Sequence, residues 1–275
     1  TIAPIHRLQL AANDDIAVKL AELRADPNVL YAEPDYILRA DRTPNDPLFL
    51  RQWGLQNASM PSADISAVEA WEQATGSEDV IVAVIDSGVD YTHPDLAANM
   101  WVNKGEIPNN NIDDDGNGYV DDVHGFNFYD DDGFVFYDES EDYHGTHVAG
   151  IVGAVGDNAK GVIGVNRFAT LVSLKFIGPT GYVSDEIEAL EYATLIGIEL
   201  INGSFSSATY SQAEYDAIQA WGGLFVAAAG NSNADAAFEE AIPADLSAPN
   251  LLTVGAVDKA GDEAPFTSYG PTVKA

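Results

Sequence analysis

Between residues 80 and 258, short apolar runs alternate with amphipathic segments, and this alternation constrains the fold more than any other feature. The runs are far too short to span a bilayer, but each has the length of a buried strand. A β-α-β-α order predicts an α/β fold, with a parallel sheet covered by helices. The predicted strands are 80–86, 171–177, 199–203, 224–231 and 251–258, and the predicted helices are 144–155, 184–198 and 211–221. Ser211 and Glu214 have the spacing of a capping box at the start of the last helix.

Residues 1–42 have a different pattern and look like a separate segment. Residues 6–12 alternate as a strand does, 13–27 have helical spacing, and 28–40 return to an extended pattern. A segment of about forty residues is too small to bury a core by itself. We therefore expect a small α+β segment, joined to the main domain by a polar, proline-bearing linker at 41–47.

The charge balance is strongly acidic, with 44 Asp and Glu against 12 Lys and Arg and a net charge of −32. This charge argues against nucleic acids and anionic membranes as partners, and it favours cations. A hydrophobic content of 46% is ample for a core. The absence of cysteine excludes a disulfide framework.

Three polar residues lie where predicted strands end or a predicted helix begins. Asp86 ends the first strand, His144 opens a helix, and Asn231 follows a later strand. Taken singly, each has a structural explanation: a turn acid, a helix-capping histidine and a turn amide. Sites in parallel sheets gather at the carboxyl edge of the strands, where these residues would meet. An acid, a histidine and an oxyanion donor together have the logic of a serine hydrolase.

An acidic insert between Asp86 and His144 has the spacing D-x-D-x-N-G-x-x-D. Alternate oxygen-bearing side chains with a glycine for the sharp turn are typical of a Ca²⁺ loop. His124 stands where a full EF-hand has glutamate, so this would be a calcium loop of a different kind. The alternative is a solvated acidic loop. The predicted ligands of a structural Ca²⁺ ion are Asp113, Asp115, Asn117 and Asp121.

The strings VAVIDSGVDYTHPDL, HGTHVAGIVGA and VAAAGNS closely resemble the subtilisin-like serine proteases, or subtilases. The resemblance covers nearly the whole chain, and HGTHVAG is among the most specific strings of that family. It implies a three-layer fold with a mostly parallel central sheet. It also implies that Asp86 orients His144, that His144 acts as general base and then acid, and that Asn231 donates into an oxyanion hole.

The same resemblance implies a set of substrate-binding residues. One group would pair with the backbone of a peptide substrate, and a second would line the primary specificity pocket. The two groups are Asn202, Gly203, Ser204 and Phe205, and Ala229 and Gly230. Ser206 and Ser207 stand where the family often has glycines, so the pocket shape stays open. Asp95 matches a further calcium ligand of the family.

Residues 1–42 resemble the later part of the inhibitory propeptide of subtilases, and 43–275 resemble the catalytic domain. This implies a secreted zymogen that cleaves proteins or peptides, with its own propeptide as an intramolecular inhibitor. We expect a monomer that binds neither nucleic acid nor membranes.

No serine of this sequence matches the nucleophile of the subtilases. In subtilases it lies in a Gly-Thr-Ser-Met-Ala string, beyond the strand that APFTSYGPTVKA resembles. The chain reaches Ala275 inside that region, and Ser268 matches the strand rather than the nucleophile. We therefore expect a domain that is incomplete at its C-terminal side, and an inactive 275-residue fragment. The alternative is a non-catalytic calcium-binding or interaction protein that keeps the fold.

Overall fold

The computed structural model describes residues 7–10, 15–34, 43–235 and 241–273. The chain divides into two compact units, Thr1–Arg42 and Thr43–Ala275.

The described part of the first unit contains one helix, α1 (Ile16–Ala25), as predicted. Asp15 caps it by accepting hydrogen bonds from the backbone N–H groups of Ala17 and Val18. The predicted strands are wrong over their described residues, because 7–10 and 28–34 form no strand. Alternation of side chains defines a face, but a strand also needs a hydrogen-bonded neighbour. The rest of both predicted strands lies outside the described residues.

The second unit is built on a six-stranded sheet with the order β2-β3-β1-β4-β5-β6, in which every neighbouring pair is parallel. The strands are β1 (Ile81–Asp86), β2 (Gly125–Asn127), β3 (Thr170–Lys175), β4 (Leu200–Gly203), β5 (Leu224–Ala228) and β6 (Leu251–Val254). The five strands predicted from the apolar runs are confirmed as β1, β3, β4, β5 and β6. The short strand β2 lies in the acidic insert and was not predicted.

The described part of this unit has four α-helices: α2 (Ala67–Trp71), α3 (Tyr143–Gly153), α4 (Val183–Leu195) and α5 (Gln212–Trp221). Short 3₁₀ turns lie at Phe49–Arg51, Pro61–Ala63 and Ala97–Asn99. Ser211 caps the start of α5, as its hydroxyl accepts a hydrogen bond from the Glu214 N–H, and Gly222 caps the end in the left-handed region.

Helices cover both faces of the sheet, and the side chains of each strand alternate between the two apolar cores that result. In β1, Ala83 and Ile85 belong to the core that contains Tyr192 of α4 and Ile218 of α5. Val82 and Val84 point the other way, into the core that contains Ala149 of α3. Successive residues of a strand face opposite sides of the sheet, so a run that is apolar throughout is buried on both. The result is the expected three-layer α/β fold.

Candidate active site

Asp86 and His144 form a hydrogen-bonded pair at the carboxyl edge of the sheet. Asp86 is the last residue of β1 and is 1% exposed. His144 lies in the first turn of α3, and its Nδ1 atom is 2.7 Å from Oδ1 and 2.9 Å from Oδ2 of Asp86. The histidine side chain is 50% exposed. A buried acid therefore orients a ring that solvent can reach.

The ionisation of His144 follows from this contact. The hydrogen bond that His144 donates to Asp86 raises the pKa of His144 above its ordinary value, against the opposing effect of partial burial. In the neutral ring, an Nδ1–H that donates to the carboxylate leaves Nε2 as the proton acceptor. The arrangement suits a general base.

Gly145 allows the start of α3 to lie close to the turn after β1. A Cβ atom at this position would stand 2.3 Å from the carbonyl oxygen of Gly88, so only glycine fits. The N–H of Gly145 donates to the Ser87 hydroxyl at 3.2 Å. The Thr146 hydroxyl accepts from the Asp90 N–H at 2.9 Å. These contacts join the two segments that carry the pair.

Two charged residues beside the pair were not predicted from the sequence as part of the site. Lys175, the last residue of β3, pairs with Asp86 in the sheet register and is 1% exposed. Its ammonium group donates to the carbonyl oxygen of Ser87 at 2.6 Å and to the carboxylate of Asp142. Asp142 immediately precedes α3 and is completely buried. No sequence pattern gives a role to the lysine within the apolar run LVSLKFI. Only the register between β1 and β3 shows that it lies beside Asp86.

The remaining predicted site residues lie on neighbouring strands that end at the same edge. Gly203 is opposite Ile85 of β1 on one side and Ala227 of β5 on the other. Asn231 is exposed and lies three residues beyond the end of β5. Its oxyanion role stays a prediction, as no described contact links it to His144.

The predicted substrate-binding residues continue from β4 and β5. Asn202 donates from its amide to the Ser204 hydroxyl at 2.9 Å. Phe205 is half-buried, with its ring centroid 4.7 Å from that of Phe176. The side chain of Ala229 is buried, and Gly230 has a φ of 97°. These residues lie beside the pair in the strand order, while their contacts with substrate stay a prediction.

The acidic insert brings three carboxylates together. Glu106, Asp113 and Asp115 each offer an oxygen within 4.8 Å of the others, so the group could hold a metal ion. Glu106 was missed because it lies seven residues before the repeating pattern. Both of its oxygens accept backbone N–H groups, from Asp114 and Asp115 and from Asp121.

The other predicted calcium ligands have different surroundings. The amide group of Asn117 donates to Asp115 and to the buried Asp122. The carboxylate of Asp121 accepts the backbone N–H groups of Asn110 and Asn111, so it braces the turn. Asp95 is buried, outside this cluster, and accepts from the Asn158 amide at 2.7 Å. Metal binding by these three residues stays a prediction.

A parallel α/β sheet that presents a buried carboxylate and a histidine at its carboxyl edge is typical of hydrolases that activate a nucleophile. Residues 77–275 match the Peptidase_S8 family, described as the subtilase family. The chain therefore belongs to the subtilase family.

Among the curated relatives are several proteases. The chain is 34% identical to the thermophilic serine proteinase of Bacillus sp. (strain AK1) over 257 residues, which is 91% of this chain and 55% of that protein. It is 34% identical to the extracellular protease of Xanthomonas campestris pv. campestris over 274 residues, covering 91% and 45% of the two chains. The chain thus spans about half the length of these relatives.

Solved structures show the same fold. A protease from Pseudoalteromonas arctica superposes with a TM-score of 0.63 at 28% identity, covering 84% of this chain and 71% of that chain. Within the described residues, we find no helix with the length and apolar content needed to cross a membrane.

Proposed function

We propose that this chain is part of a serine endopeptidase that hydrolyses peptide bonds with an Asp-His-Ser triad. The single observation that carries the proposal is the Asp86–His144 pair, with Nδ1 of the histidine 2.7 Å from a buried carboxylate oxygen. The serine would follow Ala275, in sequence that continues the domain.

Each residue would have a defined task in the reaction. His144 would take the serine hydroxyl proton on Nε2 as the serine oxygen attacks the carbonyl carbon of the peptide. It would then give that proton to the leaving amine, and a water molecule would hydrolyse the acyl-enzyme in the same way. Asp86 would hold the tautomer and stabilise the imidazolium ion. Asn231 would donate to the oxyanion of the tetrahedral intermediate.

Substrate would bind as an extended strand beside the segment 202–205. The strand order supports this, because β4 ends between β1, which carries Asp86, and β5, which precedes Asn231. Ala229 and Gly230 would line the primary pocket, which would favour apolar side chains or accept a broad range of them.

The decisive experiment uses the product of the whole reading frame and its Asp86→Asn variant. We expect the parent protein to cleave casein and to be blocked by a serine-directed reagent. The variant should lose about 10⁴-fold in kcat, since an amide cannot hold the required tautomer. A reading frame that stops at Ala275, or a parent protein without peptidase activity, would support the non-catalytic alternative instead.

We also propose that the acidic insert binds a structural Ca²⁺ ion. Glu106, Asp113 and Asp115 would provide carboxylate oxygens, which are the ligands that Ca²⁺ prefers. The carboxylate of Asp113 accepts hydrogen bonds from the backbone N–H groups of Gly118, Gly116 and Asn117. These hydrogen bonds lower the pKa of Asp113, so its carboxylate stays ionised. Bound calcium would neutralise part of the local negative charge and hold the insert that lies between Asp86 and His144.

Calcium binding is tested by thermal unfolding in EDTA and in millimolar Ca²⁺. An ion that binds only the folded state at about 100 times its Kd raises the free energy of unfolding by about 2.7 kcal/mol. We expect Tm to rise with Ca²⁺ and the Glu106→Gln variant to lose most of that rise. Glu139→Gln, at an exposed acidic position of the same insert, is the control and should keep it. An unchanged Tm in EDTA would contradict the proposal.

Residues 1–42 would be the end of an inhibitory propeptide, and the protein would be a secreted, monomeric zymogen. The division of the chain between Arg42 and Thr43 supports a removable unit. Adding the separate 1–42 peptide to the mature peptidase should slow hydrolysis competitively, and the activity should be found in the culture medium. Hydrolysis that is insensitive to the peptide would exclude the inhibitory role.

A further inference from the structure

Lys175 is a buried lysine in a strongly acidic protein. Lys175 is 1% exposed and is one of the largest fully buried side chains, although the chain has only 12 Lys and Arg. An ammonium group in the interior is costly unless its partners satisfy it. Its partners therefore indicate what the buried charge does.

Lys175 connects the two segments that carry the Asp86–His144 pair. Its Nζ atom donates to the carbonyl oxygen of Ser87, the residue directly after Asp86, at 2.6 Å. The same atom donates to Asp142, two residues before His144. One ammonium group thus touches the end of β1 and the start of α3.

Asp142 is used in an unusual way for a residue at a helix N-cap. Its carboxylate makes no capping hydrogen bond to α3, the usual task of an acid at that position. One oxygen accepts from Lys175, and the other accepts the Tyr137 N–H at 2.5 Å. Gly88 packs against this carboxylate, since a Cβ there would meet Asp142 Oδ1 at 3.0 Å.

We propose that Lys175 and Asp142 are positioning residues, a buried ion pair that clamps the end of β1 to the start of α3 and so holds Asp86 and His144 in hydrogen-bonding geometry. Neither residue touches the reacting atoms. Only the catalytic consequence of this ion pair rests on the proposed peptidase function.

The charged and titratable groups around the clamp define what its removal changes. Lys175 faces Asp142 and the Tyr137 ring, 5.2 Å from Nζ, and it interacts with the charge of Asp138. His144 faces Asp86 and the ring of Tyr143. Replacing both clamp residues with neutral side chains of similar size leaves no unpaired buried charge.

The test compares His144 in the 275-residue chain with His144 in the double variant Lys175→Met/Asp142→Asn. Without the clamp, the Asp86–His144 hydrogen bond should weaken. An NMR titration should then show the pKa of His144 lower by on the order of one unit. The Nδ1 proton resonance should broaden through exchange with water.

The control is Arg167→Met/Asp157→Asn, which removes another ion pair of the same unit. It should lower Tm but leave His144 unchanged. Should the clamp variant not fold, the isosteric Asp142→Asn variant carries the test through the Nδ1 proton resonance alone, because an unpaired Lys175 lowers the pKa of His144 whether or not the pair moves. A folded clamp variant with the wild-type His144 titration and Nδ1 resonance would overturn the proposal.

A kinetic measurement on the parent peptidase adds the functional consequence. The clamp variant should lose about ten- to a hundredfold in kcat with an unchanged KM, as expected when catalytic groups are displaced but substrate contacts remain. An unchanged kcat would overturn the positioning role. Because the titration needs no peptidase activity, failure of the clamp and failure of the proposed function give different results.

Discussion

Asp86 and His144 differ in burial, and this difference fits different chemical roles for the two side chains. Asp86 is 1% exposed, so its carboxylate is held in one orientation by the strand that it ends. The imidazole of His144 is half exposed, so it can exchange a proton with a group that approaches from the solvent. This difference in exposure fits an acid that orients the ring and a histidine that acts as a base. It depends on the close approach of the turn after β1 to α3.

We predict that Gly145→Ala disturbs this approach. The new Cβ would stand 2.3 Å from the Gly88 carbonyl oxygen and 3.1 Å from Asp86 Cβ, so α3 has to move away from the turn. We expect a loss of about 1–3 kcal/mol in the free energy of unfolding, measured with urea, because overpacking at a rigid contact forces backbone shifts.

Gly150→Ala is the matched control for this substitution. Gly150 lies in the same helix, and apart from its chain neighbours and the adjacent helix backbone, no atom is within 4 Å of the position its Cβ would take. Replacing a helix-interior glycine there should stabilise the protein by about 0.5–1 kcal/mol. Equal effects of the two substitutions would show that contact with the turn does not constrain Gly145.

Helices α4 and α5 are joined by two buried carboxyl groups. Glu186 and Glu214 are 2% and 1% exposed, and each keeps one oxygen without a hydrogen-bond partner. Only half of the predicted capping box forms, since the Glu214 N–H binds Ser211 while its side chain lies against Glu186. Burial raises the pKa of Glu214 to about 7, and burial together with Glu214 raises the pKa of Glu186 well above its ordinary value.

This pair should make stability depend on pH. Folding raises both pKa values, so the folded state binds more protons than the unfolded state above pH 4.5. The contribution of Glu214 is therefore full below about pH 4.5 and is lost as the pH rises through about 7. We expect Glu214→Gln to be more stable than wild type at pH 8, by on the order of 3 kcal/mol, and close to it at pH 4.5.

Urea unfolding across this pH range measures the difference. Glu191→Gln, at an exposed position of α4, is the control and should keep the wild-type pH dependence. A Glu214→Gln variant whose stability falls with pH as steeply as wild type would contradict the prediction.

Over the chain as a whole, negative charge dominates, with a net charge of −32. Self-repulsion at this density destabilises a compact state, and dissolved salt screens it over about 10 Å at 0.1 M and about 3 Å at 1 M. We expect Tm, measured in EDTA, to rise as NaCl increases from 0.05 to about 1 M. KCl, which screens equally, is the control for specific sodium binding. A Tm that is independent of both salts would show that the charges are already compensated locally.

Local pattern was sufficient for five of the six strands and for helices α3, α4 and α5. Apolar runs of strand length, interrupted by helical spacing, specify strands that are buried on both faces, so β1, β3, β4, β5 and β6 could be predicted. Asp86 and His144 could be predicted as partners because a parallel sheet brings strand ends to one edge. The described residues of the first unit show the limit, because 7–10 and 28–34 have an alternating pattern but form no strand.

Contacts between distant segments could not be predicted from local pattern. Lys175 is a single charge in an apolar run, and the register of β3 against β1 brings it to Ser87 and Asp142. Glu106 joins Asp113 and Asp115 only after the insert has folded back on itself. The sequence by itself determined the five strands with long apolar runs and the helices between them, because these depend on the periodicity of neighbouring residues. Packing decided which buried charges meet, because an ion pair depends on distances in space that no spacing along the chain encodes.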